Sequence, residues 1–334
     1  MPIHEKVVVG LDLHLQRTHG TVMALDGRIL RQERFPTTRE ALARFLSGLP
    51  EDTPVALEAQ GFCWPWIDYI EEFGHRPLLV NPIKAKQRAE DLKTDRVDSE
   101  VLAHLTRMNW LPTVYVPTKE LRELRNLVRH RCYLRKLSTA LKNRTWSEFR
   151  KRDLRPQASM QSMRGRRQLW DYGIHEVRQN LELIEALEAR IKATVRLLKQ
   201  RCEGTRVIEL LRTIPGIDFI TAVGLYAEIC DIRRFPNPER LAHYAGLVPR
   251  VRQSGERTWH GRETRGNRWL KWMLIEAAWA HIRSHPGGRL ARVFRDALKR
   301  KRSKAKAIKV VARKLVNVVW AVWAYGQPFA PGKA

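Results

Sequence analysis

Val7-Val8-Val9-Gly10-Leu11-Asp12 and Pro54-Val55-Ala56-Leu57-Glu58 are short apolar, β-strand-forming runs that each end on a carboxylate. Their relation decides the fold. Outward from the first, Gly20-Thr21-Val22-Met23-Ala24-Leu25 reads as a second strand. Asp26-Gly27 is a hairpin turn into a third strand over Ile29 to Phe35. This is a β-meander. Thr38 then caps a helix with Leu42, Phe45 and Leu46 on one face, ending near Gly48 and Pro50. Beyond the fourth strand, Trp64 to Phe73 predicts a helix stopped by Gly74, and Leu78-Leu79-Val80 predicts a fifth strand closed by Asn81-Pro82. Asp98 to Met108 predicts a helix with Val101, Leu102 and Leu105 facing inward. An antiparallel triplet followed by alternating helix and strand predicts a mixed α/β sheet.

From Pro117 the pattern changes to long helices. Leu127, Leu134 and Leu141 recur every seven residues, with Leu124 and Leu137 filling in. Ile174, Val177, Leu181, Ile184, Ile191, Val195 and Leu198 form a second heptad run, broken only by Glu188. Two such helices make an antiparallel hairpin or pair with another chain, and the polar stretch Arg150 to Arg167 between them is expected to be a mobile tip. These changes of pattern predict three domains, residues 1–116, 117–205 and 206–334: an α/β domain, a helical coiled-coil segment and a mainly α C-terminal domain.

Charge separates the same regions. The 334 residues carry 62 Lys plus Arg against 35 Asp plus Glu, a net charge of +27. Residues 1–116 hold 14 basic and 16 acidic side chains, so the whole excess lies beyond them. Solubility alone asks for a net charge of about 2 to 8 on a small domain. A field this large predicts a polyanionic partner, and nucleic acid fits it better than a membrane surface. The longest apolar stretch, Leu315 to Tyr325, falls short of the roughly 18 residues of a membrane span, and no leader follows Met1, so a cytoplasmic protein is expected. Four dispersed cysteines (Cys63, Cys132, Cys202, Cys230) argue against zinc and structural disulfides.

The near-neutral first third holds the candidate chemistry. Asp12 and Glu58 stand at the ends of two strands, and Asp95 and Asp98 lie three apart at a helix start, on one helical face. Taken singly, such acids serve as turn formers, solvated strand ends or helix caps. Taken together, in a sheet whose first and fourth strands are neighbours, they converge. Clustered carboxylates need a divalent cation to offset their repulsion, and hard oxygen ligands suit Mg²⁺ or Mn²⁺. Two such ions would clamp the attacking and leaving oxygens of a phosphoryl transfer.

In the last third, Ile214-Pro215-Gly216-Ile217 between apolar helices is similar to a helix-hairpin-helix, in which Gly216 lets backbone N–H groups approach a phosphate; a simple helix turn fits the same residues. Asp218 stands where that motif usually has a second glycine. A basic loop runs from Arg250 to Asn267 and contains Gln253-Ser254-Gly255; on its own it reads as a phosphate-binding turn, since no base for Ser254 is evident nearby. Arg250, Arg252, Arg257, Arg265 and Arg268 are the phosphate-holding candidates, and Trp259 is a candidate to stack on an unpaired base. Trp269, Trp272, Trp279, Trp320 and Trp323 follow helical spacing and read as core.

Gly10-Leu11-Asp12, Leu57-Glu58-Ala59-Gln60-Gly61 and Lys93-Thr94-Asp95-Arg96-Val97-Asp98 resemble the DEDD signature of the bridge-RNA-guided insertion-sequence transposases, relatives of the pilin-gene invertases. Asn81-Pro82 ahead of a basic loop matches as well, as do Ile214-Pro215-Gly216, Tyr244-Ala245-Gly246-Leu247-Val248-Pro249 and Gln253-Ser254-Gly255 toward the C-terminus. The resemblance implies a RuvC-like, ribonuclease-H-type N-terminal domain over 1–116 and a C-terminal transposase domain over 206–334. It further implies Asp12, Glu58, Asp95 and Asp98 as metal ligands, and Ser254 as a nucleophile that becomes joined to DNA. The implied function is a site-specific DNA recombinase with donor and target DNA, a non-coding guide RNA and a homo-oligomer, dimer or tetramer, as partners. Part of the oligomer contact is expected on the 174–198 heptads. The alternative is a metal-dependent, structure-specific endonuclease that uses water as nucleophile.

Overall fold

The structure is a computed structural model that describes residues 3, 5–86, 95–254, 257–263 and 266–330, without the side chains of 95–97, 250–254 and 257–263. It divides into two compact units, Met1–Val116 and Pro117–Ala334.

In the first unit, β1 (Val7–Leu13) pairs antiparallel with β2 (Arg17–Ala24), and β2 pairs antiparallel with β3 (Ile29–Pro36). Gly27 makes the β2–β3 turn with φ +100°, a conformation that costs a glycine little. Next comes α1 (Arg39–Leu46), whose N-cap Thr38 accepts the Ala41 N–H at 3.2 Å. β4 (Pro54–Glu58) lies parallel beside β1, α2 (Trp64–Glu72) follows, and β5 (Arg76–Val80) lies parallel beside β4. The unit continues with α3 (Pro82–Lys86) and α4 (Asp95–Arg107). The strand order is β3-β2-β1-β4-β5.

Alternation along the strands gives the sheet two different faces. Val7, Val9, Leu11 and Leu13 of β1 join Val55, Leu57 and Leu79 under α1 and α2, in a core with Leu42, Phe45, Ile67 and Ile70. The opposite face carries Val8, Gly10 and Asp12 of β1 and Ala56 and Glu58 of β4, with Val80 of β5. It packs on Leu102 and Ala103 of α4. Gly10 makes that packing possible. A Cβ there would lie 2.0 Å from the Ser99 carbonyl oxygen and 2.7 Å from the Ala103 nitrogen, so α4 rests directly on the β1 backbone. The buried hydroxyls of Thr21 and Ser99, 2.9 Å apart, fix the helix from the β2 side.

Among the described residues the second unit is helical except for one hairpin. α5 (Lys119–Arg150) is capped by Thr118, and α6 (Met163–Trp170) and α7 (His175–Arg201) follow. α5 and α7 run antiparallel, since Arg201 of α7 pairs with Glu123 near the start of α5 while Glu176 of α7 pairs with Arg152 just past its end. The two heptad runs therefore pack within one chain. Glu188, which interrupts the second run, receives Lys142 at 2.9 Å and Arg166. Burial alone pushes its carboxyl up, but those two cations outweigh it and hold it below its ordinary value. Leu181 and Ile191, expected to contribute to a contact between chains, are buried inside this hairpin instead. The tip also differs from expectation: Phe149, Met160, Leu169, Val177, Leu181 and Ile184 enclose a small core of their own under α6.

Beyond the hairpin come α8 (Arg206–Arg212), α9 (Phe219–Ile229), a 3₁₀ turn (Ile232–Arg234) and α10 (Pro238–Tyr244). The antiparallel strands β6 (Pro249–Ser254) and β7 (Arg257–Glu263) follow, then α11 (Arg268–Ser284), α12 (Arg289–Lys301) and α13 (Lys304–Tyr325). The basic stretch expected to be a loop is thus mostly a two-stranded ribbon. One continuous core joins α8 to α11 and α13 with the first turns of α5 (Leu124, Val128) and the end of α7 (Leu198). All four cysteines are buried and none is in a disulfide, and burial raises the thiols of Cys132, Cys202 and Cys230. No helix among the described residues is long and apolar enough to cross a membrane.

Candidate active site and nucleic-acid interface

Asp12 and Glu58 are brought together by strand register. Leu11 of β1 stands opposite Leu57 of β4, so the next residue on each strand is a carboxylate rising from the same face, the one covered by α4. Asp12 is only 6% exposed, and its Oδ2 lies 2.9 Å from Nε2 of the exposed His14. Asp98 lies on the first turn of α4, directly before the Ser99 that packs on Gly10.

Electrostatics register the convergence. Half-buried Glu58 is raised above the ordinary carboxylate range, first by desolvation and then by the negative charges of Asp12 and Asp98, while Lys86 at the end of α3 pulls it down. Two of the other three predicted acids, Asp12 and Asp98, therefore lie close enough to act on Glu58. Asp95 opens α4 one turn before Asp98, but its side chain lies outside the described residues. Among the described residues no three His, Cys, Asp or Glu side chains form a ready ligand cluster. The donor set nonetheless suits a hard divalent cation: oxygen ligands only, with one carboxyl disfavoured as an anion until a positive charge offsets its neighbours.

Two participants were absent from the sequence reading. His14 follows Asp12 by two residues, the spacing that returns a strand to the same face, and that signal was available. Lys86 lies on a five-residue helix with no periodicity to announce it.

In the second unit, Ser254 is the last residue of β6, at the end of the β6–β7 ribbon. Arg250 and Arg252 lie on β6 and Arg257 and Trp259 on β7. The side chains of all five residues, and the whole of Arg265, lie outside the described residues. Arg268 is exposed on the first turn of α11. Gly216 has φ +87°, and a Cβ on it would lie 2.4 Å from the His281 nitrogen, so its turn is pressed against α11. Asp218 is the N-cap of α9, accepting the Thr221 N–H at 2.8 Å. The carboxylate that departs from the helix-hairpin-helix pattern thus occupies a donor that a phosphate would take. Trp269, Trp279, Trp320 and Trp323 pack against the core, whereas Trp272, expected there too, is 43% exposed at the edge of Trp269.

A five-stranded mixed sheet of this order, followed by a helical unit, agrees with the ribonuclease-H-like class of fold expected from the sequence. Comparison with known proteins is more specific. Residues 9–147 match the DEDD transposase model of IS110, and residues 208–292 match the family described as transposase IS116/IS110/IS902. The chain is 25% identical over 332 residues to the transposase for insertion sequence element IS1328 of Yersinia enterocolitica, covering 97% of this chain and 98% of that one. It is 26% identical over 294 residues to the transposase for IS1111A of Coxiella burnetii, covering 80% and 77%. Similarity to y4qE of Sinorhizobium fredii is 29% over 219 residues, 64% of this chain and 54% of that protein. The chain belongs to the IS110 family of DEDD transposases: it is a DNA transposase, and its DEDD family points to divalent-metal dependence.

Proposed function

We propose that this transposase cleaves and rejoins DNA strands through Ser254, with Asp12, Glu58, Asp95 and Asp98 holding Mg²⁺ or Mn²⁺. The observation that supports this reading is the placement of Asp12, Glu58 and Asp98 on the sheet face under α4, where the Glu58 carboxyl is raised by burial and by its two acidic neighbours despite the opposing charge of Lys86. Bound there, a divalent ion supplies charge stabilisation at the phosphate oxygens. Asp12 stays oriented through the His14 ring nitrogen. Ser254 Oγ forms a bond to phosphorus as the bond to one DNA oxygen breaks, and the hydroxyl proton passes to solvent while the departing oxygen gains one. Attack by a hydroxyl of a new strand reverses the step and frees the serine. Phosphoester energy is conserved, so no nucleotide is consumed.

Arg250, Arg252, Arg257, Arg265 and Arg268 position backbone phosphates, Trp259 stacks on a base and Gly216 lets the chain approach the backbone. The nine basic residues between Lys299 and Lys314 extend the same field across the α12–α13 turn. Donor and target DNA, a non-coding guide RNA and a second copy of the chain are the proposed partners. Ser254→Ala is the deciding experiment. A transposase of this kind loses both strand joining and its covalent protein–DNA adduct, whereas an endonuclease using water keeps cutting.

A further inference from the structure

Among unassigned features, one buried charge stands apart. Glu228, on the last turn of α9, is 1% exposed; three side chains meet its carboxylate and a fourth its backbone carbonyl. Arg129 of α5 grips it in a fork, Nε to Oε1 at 2.7 Å and Nη2 to Oε2 at 2.9 Å, and Arg125, one turn earlier, approaches within 3.7 Å. The Asn267 side-chain amide donates to Oε2 at 2.7 Å, and the Tyr244 hydroxyl reaches the Glu228 backbone carbonyl at 3.5 Å. Paired buried charges of this kind add little net stability, but they fix geometry strongly, because removing one partner strands the others.

What this network fixes is the root of the β6–β7 ribbon. The ribbon leaves the fold at Gly246-Leu247-Val248 and returns at Gly266-Asn267. These two ends are in contact: the Asn267 N–H donates to the Tyr244 carbonyl at 2.8 Å, and a Cβ on Gly266 would lie 2.4 Å from the Gly246 nitrogen. Asn267 is the joint. Its Oδ1 caps α11 by accepting from Trp269 and Leu270 at 3.0 and 3.1 Å, while its Nδ2 is committed to Glu228.

We infer that Glu228 and Asn267 are positioning residues for the ribbon that ends on Ser254: the buried carboxylate ties Asn267, at the returning end, to α9 and to Arg125 and Arg129 of α5, and Asn267 in turn holds the leaving end through its N–H on the Tyr244 carbonyl. The inference rests on the reading of Ser254 as nucleophile only for its catalytic consequence. Asn267→Ser isolates the clamp, because a serine hydroxyl still caps α11 but no longer reaches Glu228. Glu228→Gln is the second variant, removing the charge while keeping the shape.

In the full chain, hydrogen exchange of the 249–263 amides is expected to accelerate by at least about tenfold in Asn267→Ser, while the α5–α7 hairpin exchanges as in the parent. Covalent joining to a supercoiled plasmid carrying the element's own ends is expected to fall about a hundredfold, with affinity for labelled duplex DNA of those ends changed less than about twofold. Unchanged ribbon exchange overturns the inference. So does uniform acceleration of the whole second unit with a lowered melting temperature. Exchange is read without DNA chemistry, so a fully active Ser254→Ala would remove the serine reading and leave the clamp standing.

Discussion

Replacing Glu58 with glutamine tests the carboxylate site through stability. Neighbouring parallel strands lie about 4.8 Å apart, so ionised Asp12 and Glu58 on adjacent strands repel by roughly 1 to 3 kcal/mol for an effective dielectric between that of water and that of a protein surface. Glu58 is half-buried, so solvent screening puts the figure near the lower end, about 1 kcal/mol. Because its carboxyl is raised in the folded chain, the penalty is absent below the unfolded value of about 4.3 and grows as pH rises through the folded value. In chelator at neutral pH, Glu58→Gln should therefore melt a few degrees above the parent, with the difference vanishing near pH 4. Magnesium should reverse the order. At a hundredfold excess over its Kd a bound ion adds about 2.7 kcal/mol, and the amide variant should gain far less. Melting curves from pH 4 to 8, with chelator and with Mg²⁺, read both effects. A Glu58→Gln protein less stable than the parent in chelator at neutral pH, or an advantage that does not change with pH, would refute the reasoning.

The other predictions concern the supports of each unit. Gly10→Ala should lift α4 off the sheet, costing about 1–3 kcal/mol from overpacking; it should also blunt magnesium stabilisation, measured by calorimetry, because Asp98 moves with the helix. Glu188→Gln should destabilise the second unit by about 1–3 kcal/mol at pH 7 by stranding Lys142 and Arg166. As the Glu188 carboxyl is depressed, that contribution is lost as pH falls through its folded value, so urea midpoints of variant and parent should converge below pH 4. Leu181→Asp with Ile191→Asp should melt the α5–α7 hairpin, seen as lost helical circular dichroism, since both side chains are internal to one chain.

The meander and the alternating elements after it were legible because each has a local signature, and so was the position of Asp12 near the end of β1 and of Glu58 at the end of β4. Thr38 caps its helix, Gly27 turns its hairpin, and Pro54–Glu58 is a strand with the bounds its sequence gives it. The ribbon was not legible. Arg250 to Glu263 alternates no apolar face, and among the described residues its strands pair only with each other. Trp272 shows the limit of periodicity from the other side: it keeps helical spacing with Trp269 yet falls on the rim of the buried stripe. The heptads specified that two helices pack, but not whether the partner was internal. Paired ions at the two ends of the hairpin, Arg201 with Glu123 and Arg152 with Glu176, decide that through contacts distant in sequence. His14 could have been found by its spacing from Asp12, whereas the Glu228 clamp joins residues about a hundred positions apart and has no local trace.

The four interior thiols give the chain a practical quality. Maleimides and other thiol reagents attack exposed thiolates, and here sulfur is both enclosed and, at Cys132, Cys202 and Cys230, reluctant to ionise. The native sequence is consequently a silent background for chemical labelling. A single cysteine placed at the exposed Leu183 on α7 would carry a dye without first stripping out the natural ones, so distances between protein copies or to tagged DNA could be followed in an otherwise unaltered polypeptide.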